Sequence, residues 1–323
     1  MKPKFYIGID IGGTKISAGL VNDKGRIILR QKISTPHAAS PSKTIRVIRE
    51  IIEQTLAESG LHHKDICGIG IGIPGLVNSD KGTVIVTPNM NLTGKNIVRE
   101  IGKYFHIPIR IGNDVNLGLL GEKWLGAAKN KSNAIAIFLG TGIGGGVIEG
   151  GKLLTGYQGV AAEIGHMSID PNGPKCSCGN RGCLEAFAGR WAIERDIKKT
   201  IHKGKKSKLG KLKNRKTIKS RLLGKALRIN DPLITPIMKR ASKRLGQACV
   251  TLRHIFDPEI IILGGGVAEA CGYFIKPIVE KSITEDRFFG RLKSCKIALS
   301  KLKDDAVVLG AASLARSSCQ HRE

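Results

Sequence analysis

Residues 5–21 read Phe5-Tyr6-Ile7-Gly8-Ile9-Asp10-Ile11-Gly12-Gly13-Thr14-Lys15-Ile16-Ser17-Ala18-Gly19-Leu20-Val21, two apolar runs joined by a glycine turn. The first run, Phe5–Asp10, is short, rich in isoleucine and bounded by glycines, which predicts a buried strand. The second, Ile16–Val21, follows with no space for a helix. Asn22-Asp23-Lys24-Gly25 then turns the chain into a third strand beginning at Arg26–Leu29. This is a strand–turn–strand meander. A helix over about 42–59, with Ser42 as N-cap and Gly60 as its stop, and a strand over Ile66–Ile73 ending at Pro74-Gly75 extend the unit.

The layout recurs. Asn133–Leu139 reads as a strand, Gly140-Thr141-Gly142-Ile143-Gly144-Gly145-Gly146 as a glycine turn, Val147–Glu149 as a strand and Gly150-Gly151-Lys152 as a turn. An apolar helix over about 234–256 leads to a strand at Glu259–Leu263, with Gly264-Gly265-Gly266 as its loop. The repetition predicts a duplicated α/β unit with a cleft between the halves. Gly140, Gly142 and Gly145 also have the spacing of the dinucleotide fingerprint. That fingerprint needs a helix straight after the glycines; a strand follows here, which excludes NAD binding.

Glycines at tight turns let backbone N–H groups converge on one spot, which suits phosphate oxygens. One such turn in each half predicts a grip on a polyphosphate, with Thr14 and Thr141 adding hydroxyls and Lys15 a charge. Asp10, at the end of the first strand, is placed to hold Mg²⁺ through water. Ile109-Arg110-Ile111-Gly112-Asn113-Asp114-Val115-Asn116 ends a strand in a polar cluster. A carboxylate there suits a base that takes the proton of a hydroxyl attacking phosphorus, and Asp114 equally suits the N-cap of a helix starting near Val115.

Glu163-Ile164-Gly165-His166 is followed by Cys176-Ser177-Cys178-Gly179-Asn180-Arg181-Gly182-Cys183-Leu184-Glu185. One imidazole and three thiols, with Gly173, Pro174, Gly179 and Gly182 supplying turns, predict a tetrahedral zinc site. Four protein ligands leave no open position, so the ion is structural. Zinc-bound His166 keeps a second ring nitrogen for hydrogen bonding, and Glu163 and Glu185 flank the cluster. An imidazole and two carboxylates converging on one spot suit a polyol or sugar.

The 323 residues suffice for two domains, and 4% aromatics predict aliphatic cores. No apolar run approaches membrane-spanning length, and the N-terminus runs into a strand with no signal peptide, so a cytoplasmic protein is expected. Cys67, Cys249, Cys271, Cys295 and Cys319 lie in or near apolar stretches without a pairing pattern, as reduced cysteines do. The net charge is +27, and 14 Lys/Arg with no acid fall between Ile197 and Asn230. No aromatics interleave them, so the tract reads as solvated surface, with non-specific contact to nucleic acid as the alternative.

Asp10–Lys15, Gly112–Asn116, Gly140–Gly145, Glu163–His166, Cys176–Glu185 and Gly264–Gly266 together resemble the ROK family of bacterial sugar kinases and repressors. The resemblance spans nearly the whole chain. It implies an actin-like, hexokinase-type (ribonuclease H-like) duplicated α/β fold. The expected domains are 1–114 plus about 306–323, and 115–305 with a zinc element at 163–185 and a basic insertion at 198–228. The resemblance implies Asp114 as catalytic base and Asn113, Glu163, His166 and Glu185 on the sugar hydroxyls, with Gly75 and Asn89 at the edge. It implies zinc on His166, Cys176, Cys178 and Cys183. ATP phosphates are expected at Gly12, Gly13 and Thr14 and at Gly140, Thr141, Gly142 and Gly144, with adenosine near Gly264–Gly266. The family also implies a homodimer or homotetramer.

The expected activity is phosphorylation of glucose at its 6-hydroxyl by Mg·ATP. Kinases of N-acetylmannosamine, N-acetylglucosamine or other hexoses are rivals that differ near carbon 2 of the sugar. From another class, a sugar-responsive repressor carries a DNA-binding helix-turn-helix ahead of the body; with the phosphate turn starting at Asp10, no space for one is expected. A nucleic-acid-binding protein acting through 198–228 is the third class. At Gly189 the family commonly has serine.

Overall fold

The computed structural model describes residues 4–36, 40–87, 90–210, 212, 217–290, 292 and 294–320. The chain runs β1 (Phe5–Ile11), β2 (Lys15–Asn22), β3 (Ile27–Ser34), α1 (Pro41–Ser59), β4 (Ile66–Ile73), β5 (Leu76–Asn78), β6 (Thr83–Val86), α2 (Ile97–Gly102), β7 (Ile109–Asn113) and α3 (Asp114–Leu125). It continues through β8 (Ala134–Leu139), β9 (Ile143–Glu149), β10 (Lys152–Leu153), α4 (Glu185–Ala188), α5 (Arg190–His202), α6 (Ser220–Arg228) and α7 (Ile234–Phe256). β11 (Ile260–Gly264), α8 (Gly265–Thr284), β12 (Lys296–Leu299) and α9 (Ala306–Gln320) complete it.

Two sheets carry the same topology. The first has the order β3-β2-β1-β4-β7, the second β10-β9-β8-β11-β12. In each, a hairpin supplies the antiparallel pair, β1 with β2 and β8 with β9. Parallel strands then add on the other side, β4 on β1 and β7 on β4, then β11 on β8 and β12 on β11. The duplicated α/β unit read from the glycine turns is therefore present.

Contacts divide the chain into Met1–Asn130 with Leu153–Ala161 and Asp304–Glu323, and Lys131–Lys152 with Ala162–Lys303. The C-terminal segment Asp304–Glu323 falls in the first unit. The sequence reading sets α3 with the second domain, whereas its contacts lie in the first unit, against α9. Backbones meet there: a Cβ on Gly310 would fall 1.6 Å from Leu117 O, so only glycine permits the approach.

The first unit's core is aliphatic, as the scarcity of aromatics predicts. Ile7, Ile9 and Ile11 of β1, Ile69, Ile71 and Ile73 of β4, Ile111 of β7 and Ile48, Ile51 and Ile52 of α1 are all fully buried. Helix α1 starts one residue before the expected range, and its N-cap is Ser40 rather than Ser42, since proline at the first helical position needs no partner for a missing N–H. Gly60 ends it in the left-handed conformation, as expected.

The glycine run after β8 differs from expectation: β9 begins at Ile143, so Gly144, Gly145 and Gly146 pair with Phe138, Ile137 and Ala136 and only 140–142 turn. Gly264–Gly266 is not a loop either. Gly264 ends β11 and Gly265 opens α8, a direct strand-to-helix junction.

The basic tract is fastened at two points. Buried Asp231 accepts from Ser207 Oγ–H (2.7 Å) and from the backbone N–H of Lys208 (2.8 Å), Leu233 and Ile234 (3.0 Å each). Ile218 N–H donates to Glu194 at 3.1 Å. No helix among the described residues is long and apolar enough to cross a membrane.

Candidate active site

In the first unit, β1 and β2 are joined by Gly12–Thr14, closed by Gly12 N–H on Lys15 O at 2.9 Å. Thr35 holds the turn from beneath, its Oγ–H on Gly12 O at 2.6 Å and its N–H on Thr14 O at 3.1 Å. Gly13 and Thr14 are exposed at the tip. Lys15 pairs with Asp304 at 3.0 Å; both side chains are largely exposed, so the pair holds weakly.

Asp10 lies at the end of β1 beside Gly72 and Ser17. Desolvation first, then the Asp114 carboxylate, push its carboxyl up to about 7 against the pull of Lys15, with Asp304 adding a smaller push. Burial also raises Asp114 above the ordinary carboxylate range, opposed by the N–H groups of Val115 and of Asp114 itself. A buried carboxyl whose ionisation is opposed by a neighbouring carboxylate suits a divalent cation.

The cap of α3 is Asn113. Its Oδ1 accepts from Val115 N–H at 2.9 Å and Asn116 N–H at 3.0 Å, while its Nδ2 donates to Gly75 O at 3.0 Å. Asp114 occupies the first helical position, with its Oδ1 also 2.9 Å from Val115 N. Its carboxylate is thus not needed as the helix cap. Gly75 has a φ of 106°, a conformation that favours glycine and turns its carbonyl to Asn113. Asn89 lies outside the described residues.

In the second unit, His166 ends a short 3₁₀ turn, Ile164–His166, and exposed Glu163 precedes it. Paired bridges at Ser168–Cys183 and Lys175–Arg181 fold the cysteine segment into a narrow hairpin, closed by Cys176 N–H on Asn180 O at 2.7 Å. One ligand atom from each of His166, Cys176, Cys178 and Cys183 lies within 4.8 Å of all the others. His166 Nδ1 is 3.7 Å from Cys176 Sγ, and Cys178 Sγ is 3.7 Å from Cys183 Sγ. Ordinary zinc bond lengths in a tetrahedron put two sulfurs about 3.8 Å apart and sulfur and nitrogen about 3.6 Å apart. The cluster therefore fits zinc in both its donor set and its spacing.

The 140–142 turn is held from two sides. Glu185 accepts from Ile143 N–H at 2.8 Å. Arg190 and Trp191, opening α5, donate backbone N–H groups to Gly140 O (3.3 Å) and Thr141 O (3.1 Å), and the Arg190 side chain donates to Thr141 Oγ at 2.7 Å. Sequence reasoning missed Ser177, Arg190 and Trp191. Ser177 lies between Cys176 and Cys178, and Arg190-Trp191 follow Gly189 at a helix start, positions that name no partner in the sequence. At the β11–α8 junction, a 20-residue helix begins at Gly265 without a side-chain cap, and the first N–H groups of a helix are of the kind that hold anions.

The repeated sheet, the two glycine turns and the strand-end carboxylates define an actin-like sugar kinase fold. The chain belongs to the ROK family, matching it over residues 6–318. It is 37% identical over 312 residues to a glucokinase of Thermotoga maritima, covering 95% of this chain and 96% of that one. It is 33% identical over 304 residues to a xylose repressor of Caldicellulosiruptor bescii, covering 94% of this chain and 76% of the repressor. Among solved structures, a ROK family glucokinase from Streptomyces griseus in complex with glucose and AMPPNP superposes with a TM-score of 0.82 at 32% identity, over 97% of this chain and 99% of that one.

Proposed function

We propose that this chain transfers the γ-phosphoryl group of Mg·ATP to the 6-hydroxyl of glucose. The observation that carries this reading is Asp114. It is a carboxyl raised above its ordinary range, placed at the head of α3 by a neighbour that does the capping. A base whose pKa lies closer to the working pH takes a proton more effectively during attack than an ordinary surface aspartate. Kinship to glucokinases of 37% and 32% identity supports glucose as the acceptor and ATP as the donor.

In this reading Asp114 accepts the 6-hydroxyl proton as the oxygen attacks phosphorus, and Asp10 holds Mg²⁺ through water. Asn113 keeps one Nδ2 hydrogen for a sugar hydroxyl after bonding Gly75 O. Glu163, His166 through Nε2, and Glu185 take further hydroxyls. The turns at Gly12–Thr14 and Gly140–Gly142 receive phosphates, and the Gly264–Gly266 junction approaches the adenosine. His166, Cys176, Cys178 and Cys183 hold a structural zinc, which fixes the imidazole and the chain between Glu163 and Glu185. The protein works in the cytoplasm as a homo-oligomer.

The test is ADP release with Mg·ATP across glucose, mannose, fructose, N-acetylglucosamine and N-acetylmannosamine. Selective turnover on glucose is expected. Preference for an N-acetylated sugar would keep the chemistry and overturn the acceptor. Identity to a xylose repressor supports one second reading, sugar binding without turnover. Saturable sugar binding with no ADP release from any sugar would favour it.

A further inference from the structure

Glu185 starts α4 two residues after the last cysteine ligand, and only 8% of it is exposed. Its carboxylate accepts from three separate stretches of chain: Ile143 N–H at 2.8 Å on Oε2, and Ser177 Oγ–H at 3.1 Å and Trp191 Nε1–H at 3.0 Å on Oε1. Ile143 closes the 140–142 turn. Ser177 sits between the ligands Cys176 and Cys178. Trp191 also donates its backbone N–H to Thr141 O, so α5 grips the same turn. The fit is close, since a Cβ on Gly142 would lie 2.1 Å from Glu185 Oε2.

A buried carboxylate loses heavily when its donors leave, so a shift in any one of these three segments is felt by the other two. We infer that Glu185 is a positioning residue that fastens the 140–142 turn to the cysteine element, so that loss of the ion from that element weakens nucleotide binding. The inference rests on the phosphate-binding reading of that turn. The route is short: without the ion, Cys176 and Cys178 lose their fixed spacing, Ser177 between them leaves Glu185, and the acceptor for Ile143 N–H loses one of its two side-chain donors, keeping only Trp191 Nε1–H. Among the described residues Oε2 accepts one protein donor, which leaves it capacity for a sugar hydroxyl.

The experiment is calorimetric titration with Mg·AMPPNP of the zinc-loaded full chain, of the same protein after chelation, and of the zinc-loaded Glu185→Gln and Ser177→Ala variants. Chelation and Glu185→Gln should each weaken binding about tenfold, and Ser177→Ala about threefold with zinc content unchanged. Trp191 is one of two tryptophans. In a Trp124→Phe background its emission should shift on chelation and in Ser177→Ala, because its Nε1–H partner moves. Should Glu185→Gln not fold, Ser177→Ala decides. Unchanged Mg·AMPPNP affinity after chelation and in Ser177→Ala would overturn the inference and leave the phosphate reading standing. No Mg·AMPPNP binding by the zinc-loaded wild type would overturn the phosphate reading, and the inference with it.

Discussion

Replacing Asp114 with asparagine separates chemistry from architecture. The side chain keeps its shape, and its oxygen keeps the 2.9 Å bond to Val115 N–H. Helix α3 keeps its cap, because Asn113 provides it. The variant removes only a charge that desolvation already makes unfavourable. Stability at pH 8 should therefore hold or rise. A positioned general base contributes roughly 10²–10⁴ in rate, or about 3–5 kcal/mol of barrier, and kcat should fall by that factor. The glucose KM should stay within about threefold, since the amide oxygen still accepts a hydroxyl hydrogen bond and the loss falls on the transition state. The assay is steady-state ADP release with a thermal melt run beside it. In the wild type, kcat should decline with acid through a single proton whose apparent pKa lies above the ordinary 3.8, and this limb should vanish in the variant. Turnover within about tenfold of wild type would refute the base assignment. So would a loss of kcat accompanied by a comparable loss of melting temperature.

Asp10 gives a pH signature in the protein without Mg²⁺. Its carboxyl sits at about 7 in the fold against an ordinary 3.8, so between those values the folded state binds the proton that the unfolded chain has released. Its contribution is fully present below pH 3.8 and is lost as pH rises through about 7, on the order of 4 kcal/mol in all; melting temperatures of Asp10→Asn should be flatter across that window. Zinc analysis should return one ion per chain, and Cys178→Ser should lose it, because Cys178 is the exposed ligand and closes a tetrahedral edge with Cys183. Asn113→Ala should cost about 1–2 kcal/mol in denaturant melts through the lost cap, and should weaken glucose binding as well, since Gly75 loses its partner.

The architecture was legible because the hairpin-plus-parallel sheet is encoded twice by short aliphatic runs with glycine between them. The cluster of His166, Cys176, Cys178 and Cys183 was legible because its spacing needs no distant partner. Boundaries inside glycine runs were not: glycine serves a strand as readily as a turn, so nothing in Gly144–Gly146 announced that β9 had begun. The cap at Asn113 was hidden because Asn and Asp cap equally well and adjacent positions compete. The ties from Ser177, Arg190 and Trp191 were illegible for a different reason. Each is defined by a partner 6 to 49 residues away along the chain, and no local pattern marks a side chain that acts through another.

The most direct measurement is the identity of the product. Zinc-loaded protein, glucose and Mg·ATP, followed by phosphorus and carbon NMR, should give one glucose phosphate ester at the 6-oxygen for each ADP formed. An ester at another carbon, or ADP accumulating with free phosphate and no sugar ester, would contradict a base at Asp114 acting on the 6-hydroxyl.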